Sequence, residues 1–530
     1  MDVPPTRNPR NQACYYCRYR KMKCDGRRPV CGQCSRGARE EDCEYTDNYA
    51  RARAEVLEED ISRVQHRIYQ LEHPEAAAST GVSLLQPYAA QQRQQMPRLH
   101  QVLDLAALPP PQSFMRPPPQ IAQTLIDTFL ASAPAFGFFL NPDRFRSSAH
   151  HSSRPTGALL AVIYLVGISL SPSASLKTHE PVFRSRALLA LNTALAGNRP
   201  QRILCALQAE VVISWYFYGA GKLVEGLYHA ATAVSLGVTG GIYSNASASA
   251  GDNGHSRRDA PPPATADEFE RVGACWATVI LDRTWAAVMG NLPNWTDPIE
   301  TAWPGGYNGA PVPSKGAVAA FLDGSDQDTV IARRRSPTEL LAKAAVIWEA
   351  ANRLVTRFEW RPDSPLRTEA MQQYFHRFYT LEARIRDIRG FLSVNEQLSP
   401  TDQQVVFMAR NIVNAAAICL YTPSATSPKP HAGDTAAQAR ARRKCGEAAS
   451  TILRLARNSG QSTTYLGAII APIWGTACRV FLEEIRRRVG NAAVRREFEE
   501  GFAAMRAHLG AGGPLLQYHL SKIQEEYDAM

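Results

Sequence analysis

Cys14, Cys17, Cys24, Cys31, Cys34 and Cys43 follow the pattern C-x2-C-x6-C-x6-C-x2-C-x8-C, two Cys-x2-Cys pairs each followed by a lone cysteine. A structural zinc ion takes four tetrahedral ligands, and thiolate is its preferred protein donor. Six cysteines make one complete four-thiolate site with two left over, unless two of them are shared. If Cys14 and Cys31, the first residue of each half, each bridge two metals, six sulfurs fill eight positions around two Zn²⁺ ions. No histidine lies between Cys14 and Cys43 to complete a site in another way.

Residues 7 to 39 carry ten Lys or Arg and a single acid, a balance that points to a nucleic-acid partner. Beyond Tyr15, Tyr16, Tyr19, Met22 and Val30 the segment has little apolar content, too little to offset its chain entropy with a buried core. Metal binding must then supply the folding free energy, on the order of 10 kcal/mol per structural zinc. The alternative is a disulfide framework, which needs an oxidising compartment; residues 1 to 13 hold no apolar stretch that would route a chain to secretion. The whole chain has a formal net charge of +10 and a pI near 9.1, in keeping with a polyanionic partner.

The run Ala13-Cys14-Tyr15-Tyr16-Cys17-Arg18-Tyr19-Arg20-Lys21-Met22-Lys23-Cys24-Asp25-Gly26, with Pro29, Cys31, Cys34 and the closing Cys43-Glu44-Tyr45, resembles the Zn₂Cys₆ binuclear cluster of fungal transcription regulators. The resemblance implies that residues 10–47 hold two zinc ions through the six cysteines and bind double-stranded DNA in the nucleus, regulating RNA polymerase II genes. It also implies a short helix between the second and third cysteines whose basic residues enter the major groove at a CGG triplet. By position, Lys21 is the main base reader, with Arg20 beside it. Cationic donors suit the O6 and N7 acceptors of guanine, and the positive end of a short helix favours nearby phosphate. Arg18, Lys23, Arg27 and Arg28 read as phosphate contacts that set orientation.

Residues 48–73 set the geometry of binding. Leu57, Ile61, Val64, Ile68 and Leu71 have a 4-3-4-3 spacing that places Ile61 and Ile68 at a and the leucines and Val64 at d. Beta-branched a positions with leucine at d favour a short parallel two-stranded coiled coil. Arg53 and Arg67 at g face Glu58 and Glu72 at e of the partner, and Pro74 stops the helix. A homodimer is therefore expected, reading a two-fold arrangement of half-sites.

Residues 74–119 read as a disordered linker rich in glutamine and proline, with Gln91, Gln92, Gln94, Gln95 and two proline triplets. Such a tract is a candidate contact for coactivators or corepressors. Residues 120–530 read as a large all-helical regulatory domain, making the chain mainly α. Helices are expected at 121–133, 157–170, 180–196, 200–218, 222–236, 267–289, 337–358, 366–392, 402–420, 435–457, 465–489, 493–509 and 514–528. Residues 244–265 and 303–318, rich in Gly, Ser, Pro and Asn, read as surface loops. Trp215-Tyr216-Phe217-Tyr218 through Gly226, His229 and Gly237, together with Arg271 to Pro293, are similar to the middle homology region of the same regulators. That similarity implies a regulatory role, in some members through sensing a small-molecule effector. Asp282 and Arg283 are expected to form ion pairs that hold the scaffold.

Other motifs carry no chemistry. Ala158 to Leu170 is apolar but short of the about twenty residues of a membrane span, so no membrane partner is expected. Gly219-Ala220-Gly221-Lys222 lacks the spacing of a phosphate-binding loop, and His179-Glu180 has no second histidine at metalloprotease spacing. Cys205, Cys275, Cys419, Cys445 and Cys478 are isolated and read as core filling. The competing reading is a helical enzyme domain targeted to DNA by the zinc cluster, but no nucleophile elbow or dinucleotide-binding glycine pattern supports it, and no catalytic residue is assigned.

Overall fold

The computed structural model of the chain describes residues 13–14, 16–17, 20–27, 29–37, 40, 43 and 45, and residues 117–530 apart from 149–155, 195–199, 242–265, 300, 306–316, 326–335, 358–366, 394–397, 427–433, 460–464 and 488–490. The stripe from Leu57 to Leu71 and most of the linker lie outside the described residues. The chain divides into two compact units, Met1–Leu108 and Pro109–Met530. The described residues contain helices and no strand.

In the first unit a helical turn at 16–17 and a short helix α1, Gly32–Arg36, each follow one of the Cys-x2-Cys starts. In the second unit α2 (Pro119–Leu130) and a 3₁₀ turn (Ala133–Phe136) lead into α3 (Pro142–Ser148), α4 (Gly157–Leu170), α5 (Ala174–Lys177) and α6 (Glu180–Asn192). The chain continues through α7 (Pro200–Gly219), α8 (Leu223–Thr239), α9 (Ala266–Met289), α10 (Ala317–Asp323), α11 (Pro337–Arg357) and α12 (Arg367–Leu392). It ends with α13 (Pro400–Thr426), α14 (Asp434–Asn458), α15 (Ile470–Arg487), α16 (Ala492–Ala507) and α17 (Leu509–Asp528).

Local chemistry accounts for many of the boundaries. The Thr156 hydroxyl accepts from the Leu159 amide at the start of α4, and the helix that follows is apolar on every side and buried on nearly every side. Ser336 caps α11 by accepting from the Glu339 amide at 3.0 Å, with Pro337 at the first helical position, as its sequence signal predicts. Asn141 caps α3 in the same way, accepting from the amides of Asp143 and Arg144, a start that the sequence reading passed over.

α13 runs past its expected end at 420 and through Pro423. Proline removes one helical donor, but Tyr421 and Ala425 are buried against Ala441 and Cys445, and the Arg442 guanidinium donates to the Ala425 carbonyl at 3.0 Å. Tertiary packing outweighs one missing bond near the helix end. α13 is also long and apolar enough to cross a membrane by length and composition; it is mostly buried, packed against α11, α12, α14 and α15.

The expected surface loop at 303–318 is corrected at both ends. Trp303 stacks on Trp276 with ring centroids 4.5 Å apart and meets Phe321 edge-on, while α10 already begins at Ala317. Beneath these rings the ammonium of Lys343, fully buried, lies 2.7 Å from Glu339 and about 5 Å from the rings of Trp303 and Phe321. Gly and Pro marked an irregular backbone there, and the tryptophan within it went unread as a core anchor.

Arg283 forms the expected ion pair, whereas Asp282 makes no ion pair among the described residues and holds the scaffold through hydrogen bonds from amides. Asp282 accepts from the backbone amides of Asn294 and Trp295, at 2.9 and 3.0 Å, and from the Asn294 side chain. Arg283 donates to the Trp295 carbonyl at 2.9 Å and pairs with buried Glu349 on α11 at 3.2 Å. The turn after α9 is thereby clamped to the helix and the helix to α11. Cys205, Cys275, Cys445 and Cys478 are buried and Cys419 half-buried.

Candidate metal centre

Each half of the first unit is built alike. Cys31 is the N-cap of α1, its sulfur accepting from the Cys34 amide at 3.4 Å, and the Cys17 amide points in the same way at the Cys14 sulfur. A Cys-x2-Cys pair therefore opens a helical turn with both sulfurs on its inner side. The turn chemistry, not a hydrophobic core, aims the thiols.

All six sulfurs converge. Cys14, Cys17, Cys24 and Cys31 form one group that could hold a metal ion, and Cys14, Cys31, Cys34 and Cys43 form a second, the ligand atoms of each lying within 4.8 Å of one another. The two groups share Cys14 and Cys31. Sulfur pairs stand 3.7 to 3.9 Å apart (Cys17 with Cys31, Cys14 with Cys31, Cys34 and Cys24). With zinc–sulfur bonds of about 2.3 Å, the edge of a tetrahedron is about 3.8 Å, so the donor set fits zinc. The same separation is nearly twice that of a disulfide, and all six cysteines are free.

Electrostatics favour a cation at the centre. Burial pushes the Cys17 thiol up to about 11. At Cys31 burial acts in the same direction, but the Cys34 amide and the neighbouring thiols outweigh it and bring the group down to about 6. Thiols packed this closely cannot all ionise beside one another without a compensating positive charge.

Several contacts around the sulfurs escaped the sequence reading. The Cys31 amide donates to the Cys43 sulfur at 3.2 Å. The Asp25 carboxylate accepts from the Gly32 amide, 3.0 and 3.1 Å from its two oxygens, and from the Arg27 amide at 3.4 Å. These amides, Gly32 first, hold the Asp25 carboxyl below its ordinary range. A Cβ on Gly32 would lie 2.6 Å from an Asp25 oxygen, so the approach needs glycine. The Tyr45 hydroxyl donates to the Arg27 carbonyl at 2.8 Å, which ties the last described residue of the cluster to the loop after Cys24.

The basic residues are arranged outside this shell. Arg20, Lys21, Lys23 and Arg27 are exposed, whereas Arg18 and Arg28 lie outside the described residues. Of the expected helix between the second and third cysteines, residues 18 and 19 lie outside the described residues. The Arg20 amide donates to the Tyr16 carbonyl and the Met22 amide to the Cys17 carbonyl, after which residues 22–27 are not helical. Lys21 has φ +54°, the single non-glycine residue in the left-handed region among the described residues. Its place is that of the residue just past a helix end in a Schellman-type cap, a position usually held by glycine. Lys21 thus stands at the carboxyl end of the turn, not at the positive end that favours phosphate.

Residues 12–52 match the family model of the fungal Zn(2)-Cys(6) binuclear cluster domain, and residues 126–302 match the fungal specific transcription factor domain. Two segments of the chain are thus similar to domains of fungal transcription regulators. The cluster domain binds two zinc ions and DNA. The fungal specific transcription factor domain covers α3 to α9, with Asp282 and Arg283 on α9. No curated protein and no solved structure matches the chain.

Proposed function

We propose that this regulator reads paired CGG-like triplets as a homodimer and controls RNA polymerase II genes in the nucleus. The observation that carries the reading is the pair of four-sulfur groups sharing Cys14 and Cys31, with exposed Arg20, Lys21, Lys23 and Arg27 beside them. Cys14 and Cys31, common to both groups, would serve two zinc ions, with Cys17 and Cys24 completing one set of four thiolates and Cys34 and Cys43 the other. Lys21 and Arg20 contact guanine edges; Arg18, Lys23, Arg27 and Arg28 hold phosphates.

Leu57, Ile61, Val64, Ile68 and Leu71 join two copies, and the spacing of two half-sites multiplies the modest affinity of each cluster. The helical unit regulates through a small-molecule effector, by equilibrium binding and not by catalysis. Both matched families are transcription factor domains.

Selection of binding sites from random duplex DNA, with and without a zinc chelator, tests the reading. Enrichment of two CGG-like triplets at a fixed spacing, lost on chelation, is the expected result. Enrichment of single triplets would remove the dimer, and no enrichment would remove sequence-specific reading altogether.

A further inference from the structure

α12 and α14 both pack on α13, and the seam along which they flank it is here termed the furrow. Its floor is Phe378 of α12 set edge-on against Tyr421 of α13, ring centroids 5.5 Å apart, over the buried Ala441 and Cys445 of α14. On the α12 wall Phe375 and Tyr379 are 44% and 61% exposed, their rings side by side with centroids 6.3 Å apart. Arg386 follows Tyr379 by seven residues and lies on the same line of the helix. α14 meets α16 through Leu453, against Gly501, and Arg457, paired with Glu500, so the opposite edge of α14, which carries Glu447, faces the furrow. Lys444 and Arg440 precede Glu447 by three and seven residues and share its edge.

The charges here are unbalanced in one direction. Among the described residues, Arg386, Arg440 and Lys444 make no ion pair, whereas Arg146, Arg457, Arg479 and Arg487 elsewhere on the surface are each paired. Two of the three nearby acids are engaged. Glu382 receives the Tyr421 hydroxyl and Asp387 pairs with Arg384, while exposed Glu447 makes no ion pair among the described residues. Two exposed aromatic rings one helical turn apart thus lie between three cations that no ion pair neutralises, with Glu447 the one free carboxylate beside them among the described residues.

We propose that this furrow docks an acidic amphipathic helix of a partner protein. Apolar residues at i, i+3, i+4 and i+7 of the incoming helix would cover Phe375, Tyr379 and the Phe378–Tyr421 floor, with carboxylates on its flanks meeting Arg386 on one wall and Arg440 and Lys444 on the other. Nucleic acid fits less well. Its phosphates would satisfy the cations, but Phe375 and Tyr379 lie against each other and leave no gap for a base, and the apolar floor would stay uncovered. The surface lies in the second unit and acts independently of the zinc cluster.

The test is fluorescence anisotropy of the full chain with a labelled helical peptide of about sixteen residues, Leu and Phe at the spacing above and Asp and Glu elsewhere, against a scrambled peptide of the same composition. The ordered peptide is expected to bind at least about tenfold tighter than the scrambled one. Phe375→Ala with Tyr379→Ala, and separately Arg440→Glu with Lys444→Glu, are each expected to weaken it about tenfold while DNA binding and the thermal melt stay unchanged. Equal binding of both peptides would overturn the proposal, as would peptide binding that ignores both double variants, the result expected if the basic residues of 12–52 capture it. Displacement of the ordered peptide by non-specific duplex DNA in a variant lacking residues 12–52 would assign the furrow to nucleic acid and overturn it too. A fall in sedimentation coefficient of either double variant would assign the surface to a second copy of the chain, with the same consequence.

Discussion

Asp25 and Gly32 join the two halves of the zinc cluster: both carboxylate oxygens of Asp25, which follows Cys24, stand within 3.1 Å of the Gly32 amide that follows Cys31. The carboxylate sits at the start of α1, where amides are unsatisfied and the backbone dipole favours negative charge. Gly32→Ala would put a methyl group 2.6 Å from the carboxylate and drive it off, and Asp25→Ala would remove it. Both variants are expected to release zinc to a chromophoric chelator faster than the native chain. Release at the native rate would show that the contact does not hold the halves together.

Lys21 combines an exposed ammonium with a left-handed backbone that costs a side chain roughly 1–2 kcal/mol relative to glycine. Lys21→Gly and Lys21→Ala separate the two properties. Each is expected to weaken specific DNA binding by about 1–3 kcal/mol and flatten preference at the guanine positions. Only Lys21→Gly relieves the backbone, so it alone is expected to retain zinc more firmly than the native chain. Unchanged sequence preference in both variants would take base reading away from Lys21.

The cysteine geometry was legible because ligand number and spacing leave few ways to surround zinc. The long helices were legible as apolar-rich stretches between Gly, Ser and Pro breakers, α4 to the residue. What could not be read depends on contacts between distant parts of the chain. Asp25 caps a helix that begins seven residues later, outside any local capping pattern. Trp303 enters the core from a segment whose glycines and prolines signal only irregular backbone, and α13 continues through Pro423 because α14 packs on its far end. Lys21 occupies a position where sequence preference points to glycine, and nothing in the run of basic residues marks the change of backbone.

Ile61→Lys with Ile68→Lys places two charges at a positions of the proposed coil. Sedimentation of the full chain is expected to change from dimer to monomer, and binding to paired half-sites to fall to that of one half-site. A dimer that survives both substitutions would locate the interface elsewhere.

Arg283 and Glu349 are both buried, and Arg353 also reaches Glu349 at 3.3 Å. Glu349→Gln leaves the Arg283 guanidinium without its counter-charge, an expected loss of roughly 3–5 kcal/mol of folding stability by denaturant titration. Replacing the pair together, Arg283→Met with Glu349→Leu, is expected to recover much of that loss, although the Trp295 carbonyl then loses its donor. A Glu349→Gln variant as stable as the native chain would show that the clamp is not held by charge.

His508 and His519 give the helical unit a dependence on pH. Burial holds both below the ordinary histidine range, with Arg479 adding to the effect at His519, and the His508 ring lies 2.8 Å from the Ser459 hydroxyl. In the unfolded chain both titrate near about 6.5. Below that pH the unfolded state takes up protons that the folded state still refuses, so stability is full above about 6.5 and falls as pH drops toward the folded values. The Tm is therefore expected to be lower at pH 5.5 than at pH 7.5, and the difference to shrink in a His508→Gln, His519→Gln variant whatever its absolute stability. The two rings lie on α17 and just before it, packed against Trp474 and Gly475 of α15, so the loss should appear first as fraying of the C-terminal helices. Hydrogen exchange concentrated in α15 and α17 at pH 5.5 is the expected signature; uniform exchange across the unit, or an undiminished Tm difference in the double variant, would assign the pH dependence to other groups.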